Sequence, residues 1–144
     1  MFRCVDDRNG GKVSGSGPGP KDAMTKKALI IEDDSFMITN LTELLGFEGF
    51  EVDSVSEGAQ ASRHILDFQP DVILSDMRMP GMDGLTILGM VRENPQTMNI
   101  PFVFLTGRAD SDQLRAAQEA GANGYLIKPF EIDDLLNLIN ELVP

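Results

Sequence analysis

Five short apolar runs recur along this chain, each ended by polar residues, with room for one helix between neighbours. The runs begin near Ala28, Phe50, Asp71, Pro101 and Gly124, roughly 20 to 30 residues apart. Ala28–Ile31, Asp71–Ser75 and Pro101–Leu105 are nearly all apolar, the pattern of strands covered on both faces. Phe50, Val52 and Val55 read as a weaker strand, and Gly124–Ile127 as the fifth. Between them, Ser35–Leu45 carries Ile38, Leu41 and Leu45 at helical spacing. Glu57–Phe68 puts Ala61, Ile65 and Phe68 on one face, with Ser56 as its expected N-cap. Leu85–Arg92 and Asp110–Ala120 are further helices, and Glu131–Leu142 closes the series with Ile132, Leu135, Leu136 and Ile139 inward. Strand–helix alternation repeated five times predicts an α/β fold: a five-stranded parallel sheet, doubly wound, with helices on both faces.

Composition agrees with one domain and narrows its company. The 144 residues include 12 Lys plus Arg against 23 Asp plus Glu, a formal charge of −11. Such acidity opposes attraction to nucleic acid or anionic lipid. No run reaches the roughly 18 apolar residues of a membrane helix, and the N-terminus lacks the pattern of a secretory signal. A cytoplasmic protein without membrane insertion is expected. The single cysteine, Cys4, cannot form an internal disulfide, and no CxxC pair is present. Charge is uneven: residues 1–27 hold six basic side chains and three acidic ones, so the remainder is strongly acidic. Asn9–Pro20 is rich in Gly, Pro and Ser, and residues 1–25 are expected to be a flexible N-terminal extension, with the domain over 26–144.

In an open parallel sheet, ligands bind beyond the carboxyl ends of the strands. The polar residues expected there are Glu32 and Asp33 after the first strand, Asp76 after the third, Thr106 after the fourth and Lys128 after the fifth. The second strand contributes none, which suits an outer position. A strand order of 2-1-3-4-5 makes the first and third strands neighbours, so that three carboxylates converge. Their repulsion is relieved by protons or a hard cation, and without clustered Cys or His that cation is Mg²⁺ rather than Zn²⁺. A carboxylate beside such a metal, faced by a hydroxyl and an ammonium, suits a phosphoryl group: the carboxylate attacks phosphorus while Thr106 and Lys128 offset charge on the oxygens.

The segments IIEDDSF, DVILSDMRMPGMDG, PFVFLTG and GYLIKPF, in this order, resemble the receiver domain of bacterial two-component response regulators over about residues 27–143. The resemblance implies a flavodoxin-like sheet and a phosphoacceptor, Asp76. It implies Mg²⁺ (or Mn²⁺) held by Glu32, Asp33 and Asp76, with Asp33 a direct ligand and the Arg78 backbone carbonyl completing the set. Thr106 is then the hydroxyl that follows the phosphoryl group, Lys128 its ion-pair partner, and Tyr125 the switching aromatic. Lys128–Pro129 is expected to be cis. Arg78 and Arg108 depart from the family pattern and are expected to modulate the lifetime of the phosphoryl group.

Taken singly, several of these residues have plainer readings. Asp34 reads as a helix-capping residue, His64 as a surface side chain, and Met77, Met79 and Met82 as packing at the rim of the site. The resemblance implies a stand-alone receiver that catalyses only its own phosphorylation and dephosphorylation, and either signals by conformational switching or relays the group. Its donor is a histidine kinase or histidine phosphotransfer protein. A downstream target is expected on the face formed by 110–120, 124–127 and 131–142. Two other readings keep the fold: a phosphorylation-independent interaction module, and a flavin carrier, whose phosphate the acidic first loop would repel. A nucleophilic-Asp phosphatase would place Asp-x-Asp after its first strand, whereas the acceptor candidate here follows the third, with Arg78 two residues beyond it.

Overall fold

The computed structural model describes residues 3–5, 25–79, 81–107 and 111–143. Six strands form one parallel sheet: β1 (Arg3–Val5), β2 (Lys27–Ile31), β3 (Glu51–Val55), β4 (Val72–Asp76), β5 (Phe102–Thr106) and β6 (Gly124–Ile127). Five helices connect them: α1 (Ser35–Phe47), α2 (Ala61–Phe68), α3 (Gly84–Glu93), α4 (Ser111–Ala120) and α5 (Ile132–Leu142). The sheet order is β1-β6-β5-β4-β2-β3. Set β1 aside, and the other five strands follow the expected 2-1-3-4-5 order.

The sixth strand differs from expectation. Arg3–Val5 pairs in parallel with Gly124–Leu126, inside a segment read from sequence as a flexible extension. The backbone groups of an edge strand accept any extended segment that reaches them, whatever its periodicity. Apart from Arg3–Val5 and residue 25, that extension lies outside the described residues, as do Arg108 and Pro80.

Side chains alternate across the sheet and build two cores. Leu29, Ile31, Ile73, Phe102, Phe104 and Tyr125 face α2, α3 and α4, meeting Ile65, Ile87, Val91 and Ala117. Ala28, Ile30, Leu74, Val103, Leu105 and Leu126 face α1 and α5, meeting Leu41, Leu45, Leu135, Leu138 and Ile139. The strands of the sheet centre are thus covered on both sides, which explains their unbroken apolar runs.

Helix starts are set by local chemistry. Asp34 caps α1 as expected, its Oδ1 accepting from the N–H of Phe36 at 3.0 Å and of Met37 at 3.4 Å. Asp83 caps α3 by accepting from the Thr86 N–H at 3.0 Å. Ser56 does not cap α2. The chain first makes a short 3-10 turn at Gly58–Gln60, where a Cβ on Gly58 would lie 2.6 Å from the Met82 carbonyl oxygen. The turn leads directly into α2 at Ala61, whose start carries no side-chain cap bond.

At the end of the sheet remote from the polar strand termini, Arg92 in the last turn of α3 folds over two chain segments. Its guanidinium donates to the carbonyls of Gly121, Met98 and Ile100 and to Asn123 Oδ1, at 2.8–3.1 Å. Asn123 Oδ1 also accepts from the Phe102 N–H at 2.9 Å, tying the entries of β5 and β6 together.

Candidate phosphoryl-acceptor site

Asp76 and Thr106 end β4 and β5, one position later than the apolar runs alone imply, because the backbone ladder continues through them. Asp76 pairs with Leu105, and Thr106 with Ile127. Glu32 follows β2 directly, and its N–H is fixed by the Val55 carbonyl at 3.1 Å. These neighbouring strand ends bring Glu32, Asp33 and Asp76 together, with one ligand oxygen from each lying within 4.8 Å of the others. Glu32 is buried, Asp76 half-buried and Asp33 exposed, so the crevice opens to solvent on the Asp33 side.

The electrostatics follow from that burial. Desolvation pushes the Glu32 carboxyl above its ordinary pKa, and the nearby Asp76 pushes it the same way. The Lys128 ammonium and the Asp34 N–H, which donates to Glu32 Oε2 at 3.3 Å, pull in the other direction. Lys128 Nζ sits 3.3 Å from Glu32 Oε1 and is itself mostly buried. The ammonium therefore rests on Glu32, one of the three carboxylates that converge with Asp76. Its backbone is held too: the Lys128 N–H donates to the Thr106 carbonyl at 2.6 Å, and Lys128–Pro129 is cis.

Asp76 is positioned by its own turn. Its Oδ1 accepts from the Met77 N–H at 2.8 Å, and its carbonyl accepts from Ser75 Oγ at 2.8 Å. Gly84 packs so close that a Cβ there would collide with the Asp76 carbonyl and lie 2.7 Å from the Phe104 ring. Met77 and Met79 are buried, while Arg78 between them is exposed.

Thr106 is buried at the mouth of the crevice, and Tyr125, one strand away, is fully buried in the core under α4. The Tyr125 hydroxyl lies 3.5 Å from Gln113 Oε1 of α4. His64 is half-exposed and stands beside Asp53, Nδ1 to Oδ2 3.4 Å. Arg108 is outside the described residues. Sequence reading missed the Glu32–Lys128 pairing, for which the only signal was that both residues follow strands.

Oxygen ligands of this kind, with no thiolate or imidazole among them, fit a hard divalent cation. The fit is also electrostatic, since a cation would favour the charged form of Glu32, which burial first and the nearby Asp76 second disfavour.

Comparison with known proteins agrees with this geometry. A family model, the response regulator receiver domain, matches residues 28–140. The DNA-binding response regulator MtrA of Mycobacterium tuberculosis (strain ATCC 25618 / H37Rv) is 31% identical over 115 residues, covering 80% of this chain and 49% of that protein. The chain thus spans about half the length of the curated relatives it matches. A response regulator receiver domain protein from Clostridium thermocellum superposes with a TM-score of 0.76 at 32% identity, covering 82% of this chain and 94% of that one. The receiver domain of the sensor histidine kinase PA1611 from Pseudomonas aeruginosa PAO1, whose structure has a magnesium ion coordinated in its active-site cleft, gives 0.77 at 28% identity, covering 83% and 98%. A matching family model across most of the chain, the strand order and the acidic crevice at the strand ends converge: this chain belongs to the response regulator receiver domain family.

Proposed function

We propose that this chain receives a phosphoryl group on Asp76 from a phosphohistidine of a histidine kinase or histidine phosphotransfer protein. The observation that carries the reading is the crevice in which Glu32, Asp33 and Asp76 converge with Lys128 pinned beside them. An Asp76 carboxylate oxygen attacks phosphorus, the phosphorus–nitrogen bond of the donor breaks, and the imidazole leaves with the electron pair. Glu32, Asp33, Asp76 and the Arg78 carbonyl would hold Mg²⁺ or Mn²⁺, which supplies charge neutralisation for the phosphoryl oxygens. Lys128, already desolvated, and the Thr106 hydroxyl offer donors to those oxygens. Beyond this self-modification no separate substrate is turned over. The setting is cytoplasmic; among the described residues no helix is long and apolar enough to cross a membrane.

The donor side of the crevice has an apolar frame. Phe36 at the start of α1 is 79% exposed, and Met37, Leu41, Lys128, Pro129 and Phe130 line a groove between α1 and the start of α5. A donor helix seated there would be next to the acidic pair. Signalling then follows from occupancy of the site: Thr106 drawn toward the new oxygens opens space beside Tyr125, biasing a two-state equilibrium. The face built by α4, β6 and α5 is the proposed contact for a downstream target.

The direct test is acetyl phosphate with Mg²⁺, followed by intact mass. The wild type should gain one phosphoryl group only with a divalent cation present, and Asp33→Asn should weaken both metal binding and phosphorylation. Mg²⁺ should also raise the melting temperature of the unphosphorylated wild type, because it binds the native carboxylate cluster alone. Chelation that changed neither quantity would remove the reading.

The two arginines bear on how long the group stays. Hydrolysis needs a water in line with the Asp76 oxygen–phosphorus bond, and a guanidinium has no acceptor with which to orient one. Arg78 and Arg108 therefore slow decay, giving a phosphorylated state that lasts minutes or longer. Asp76 phosphoryl loss should be faster in the Arg78→Asn, Arg108→Glu double variant than in the wild type. Equal or slower loss in the variant would refute this role.

A further inference from the structure

In a five-stranded sheet of this order β6 is an edge, and an edge strand presents unpaired N–H and C=O groups to any extended segment that reaches it. Here that edge is taken. Arg3 pairs with Gly124, Cys4 with Tyr125 and Val5 with Leu126, all in parallel. We propose that the outer edge of β6 is a strand-addition site whose resident occupant is the chain's own Arg3–Val5 segment, so that any partner adding a strand beside Tyr125 must first displace it. This inference is independent of the phosphoryl chemistry and stands or falls without it.

Three observations support an occupant supplied in cis. The first is the pairing itself, which is backbone-directed and places the segment against the strand that carries Tyr125. The second is charge: residues 1–25 carry four basic and three acidic side chains, a slight positive excess ahead of a strongly acidic domain, so no net repulsion opposes the pairing. The third is reach. Between Val5 and Lys27 the chain must pass from β1, beyond β6, to β2, four strand spacings or about 19 Å away, and also return the length of the sheet. About twenty residues span at most roughly 70 Å, so the connection closes with slack. Tethering turns pairing into an intramolecular event at an effective concentration near millimolar, enough to hold a strand too short to bind from solution at micromolar levels. A strand held this way is also easily exchanged for a longer one.

Proline tests the pairing in the full chain. Successive backbone N–H groups of a strand point to opposite sides, so Cys4→Pro with Val5→Pro removes a β6-directed donor whichever side each faces. The control, Cys4→Ser with Val5→Thr, keeps both donors. Amide exchange of Gly124–Ile127 is read relative to that of Phe102–Thr106 in β5. The outward amides of β6 should exchange at least about tenfold faster in the proline variant than in the wild type or the control. A synthetic peptide of residues 1–8, added at millimolar concentration, should slow them again. Equal relative exchange in the wild type and the proline variant, or no effect of the peptide, would overturn the assignment. Protection in the wild type that fades on dilution would overturn it as well, because the strand would then come from a second copy.

Discussion

Asp76→Asn is expected to abolish phosphorylation by acetyl phosphate while making the unphosphorylated fold more stable. The two effects have one origin. Asp76 supplies the attacking oxygen, and an amide oxygen is too weak a nucleophile to replace it. Yet the same carboxylate lies within 4.8 Å of those of Glu32 and Asp33, and it raises the Glu32 pKa. Removing its charge should stabilise the protein by on the order of 1 kcal/mol at neutral pH without metal. The amide oxygen can still accept from the Met77 N–H, so the turn survives. The sign of the pH dependence follows from Glu32. A carboxyl raised in the folded state binds more protons there than in the unfolded chain, so stability falls as pH rises from the ordinary carboxylate range through its folded pKa. The gain from Asp76→Asn should therefore be full above that value and shrink as acid protonates the cluster. Thermal melts at two pH values without metal, beside intact mass, check both halves. A variant that melts lower than the wild type at neutral pH would contradict the electrostatic account.

Arg92→Ala should have the opposite signature: a large loss of stability with phosphorylation retained below the new melting point. The guanidinium serves the carbonyls of Met98, Ile100 and Gly121 and the side chain of Asn123 in a half-buried setting, where burial already lowers its pKa. Truncation leaves those acceptors without their donor, which costs about 2–4 kcal/mol. For a chain of this length the melting temperature should drop by about 10 °C. Arg92→Lys should recover only part, since an ammonium cannot present the planar fork that reaches all four acceptors. These contacts lie at the entries of β5 and β6, whereas the acidic crevice lies at the exits of the strands. An Arg92→Ala protein that melted with the wild type would show the network to be decorative.

The legible and illegible parts of the sequence separate along a physical line. Ala28–Ile31 and Pro101–Leu105 announced buried strands because burial on both faces demands uninterrupted apolar residues. Glu32, Asp33, Asp76, Thr106 and Lys128 were legible because the topology of a parallel sheet collects strand ends, and polar residues that follow apolar runs mark those ends. Asp34 was legible as a cap since its bonds reach only two or three residues along the chain. What sequence missed depends on partners distant in sequence. Arg92 looks like a solvated residue at a helix end until the loops at 98–100 and 121–123 fold against it. Leu138 and Leu136 lie on one apolar helix, and only the packing makes the former buried and the latter partly exposed. Ser56 had the right chemistry for a cap, but a 3-10 turn at Gly58–Gln60 stands between it and the helix. Arg3–Val5 is three residues long and aperiodic, and only the exposed ladder of β6 makes it a strand.

The sheet separates two sets of core side chains that share no members, one under α2, α3 and α4, the other under α1 and α5. It works as a bulkhead. Interior volume lost or gained on one side is absorbed there, because alternate residues of each strand point the other way and the ladder between them does not bend easily. The compartment beneath Tyr125 and the one beneath the exposed Phe36 can therefore drift apart in composition over generations. Such a domain can change the company it keeps on one flank while the interior behind its opposite flank stays as it was.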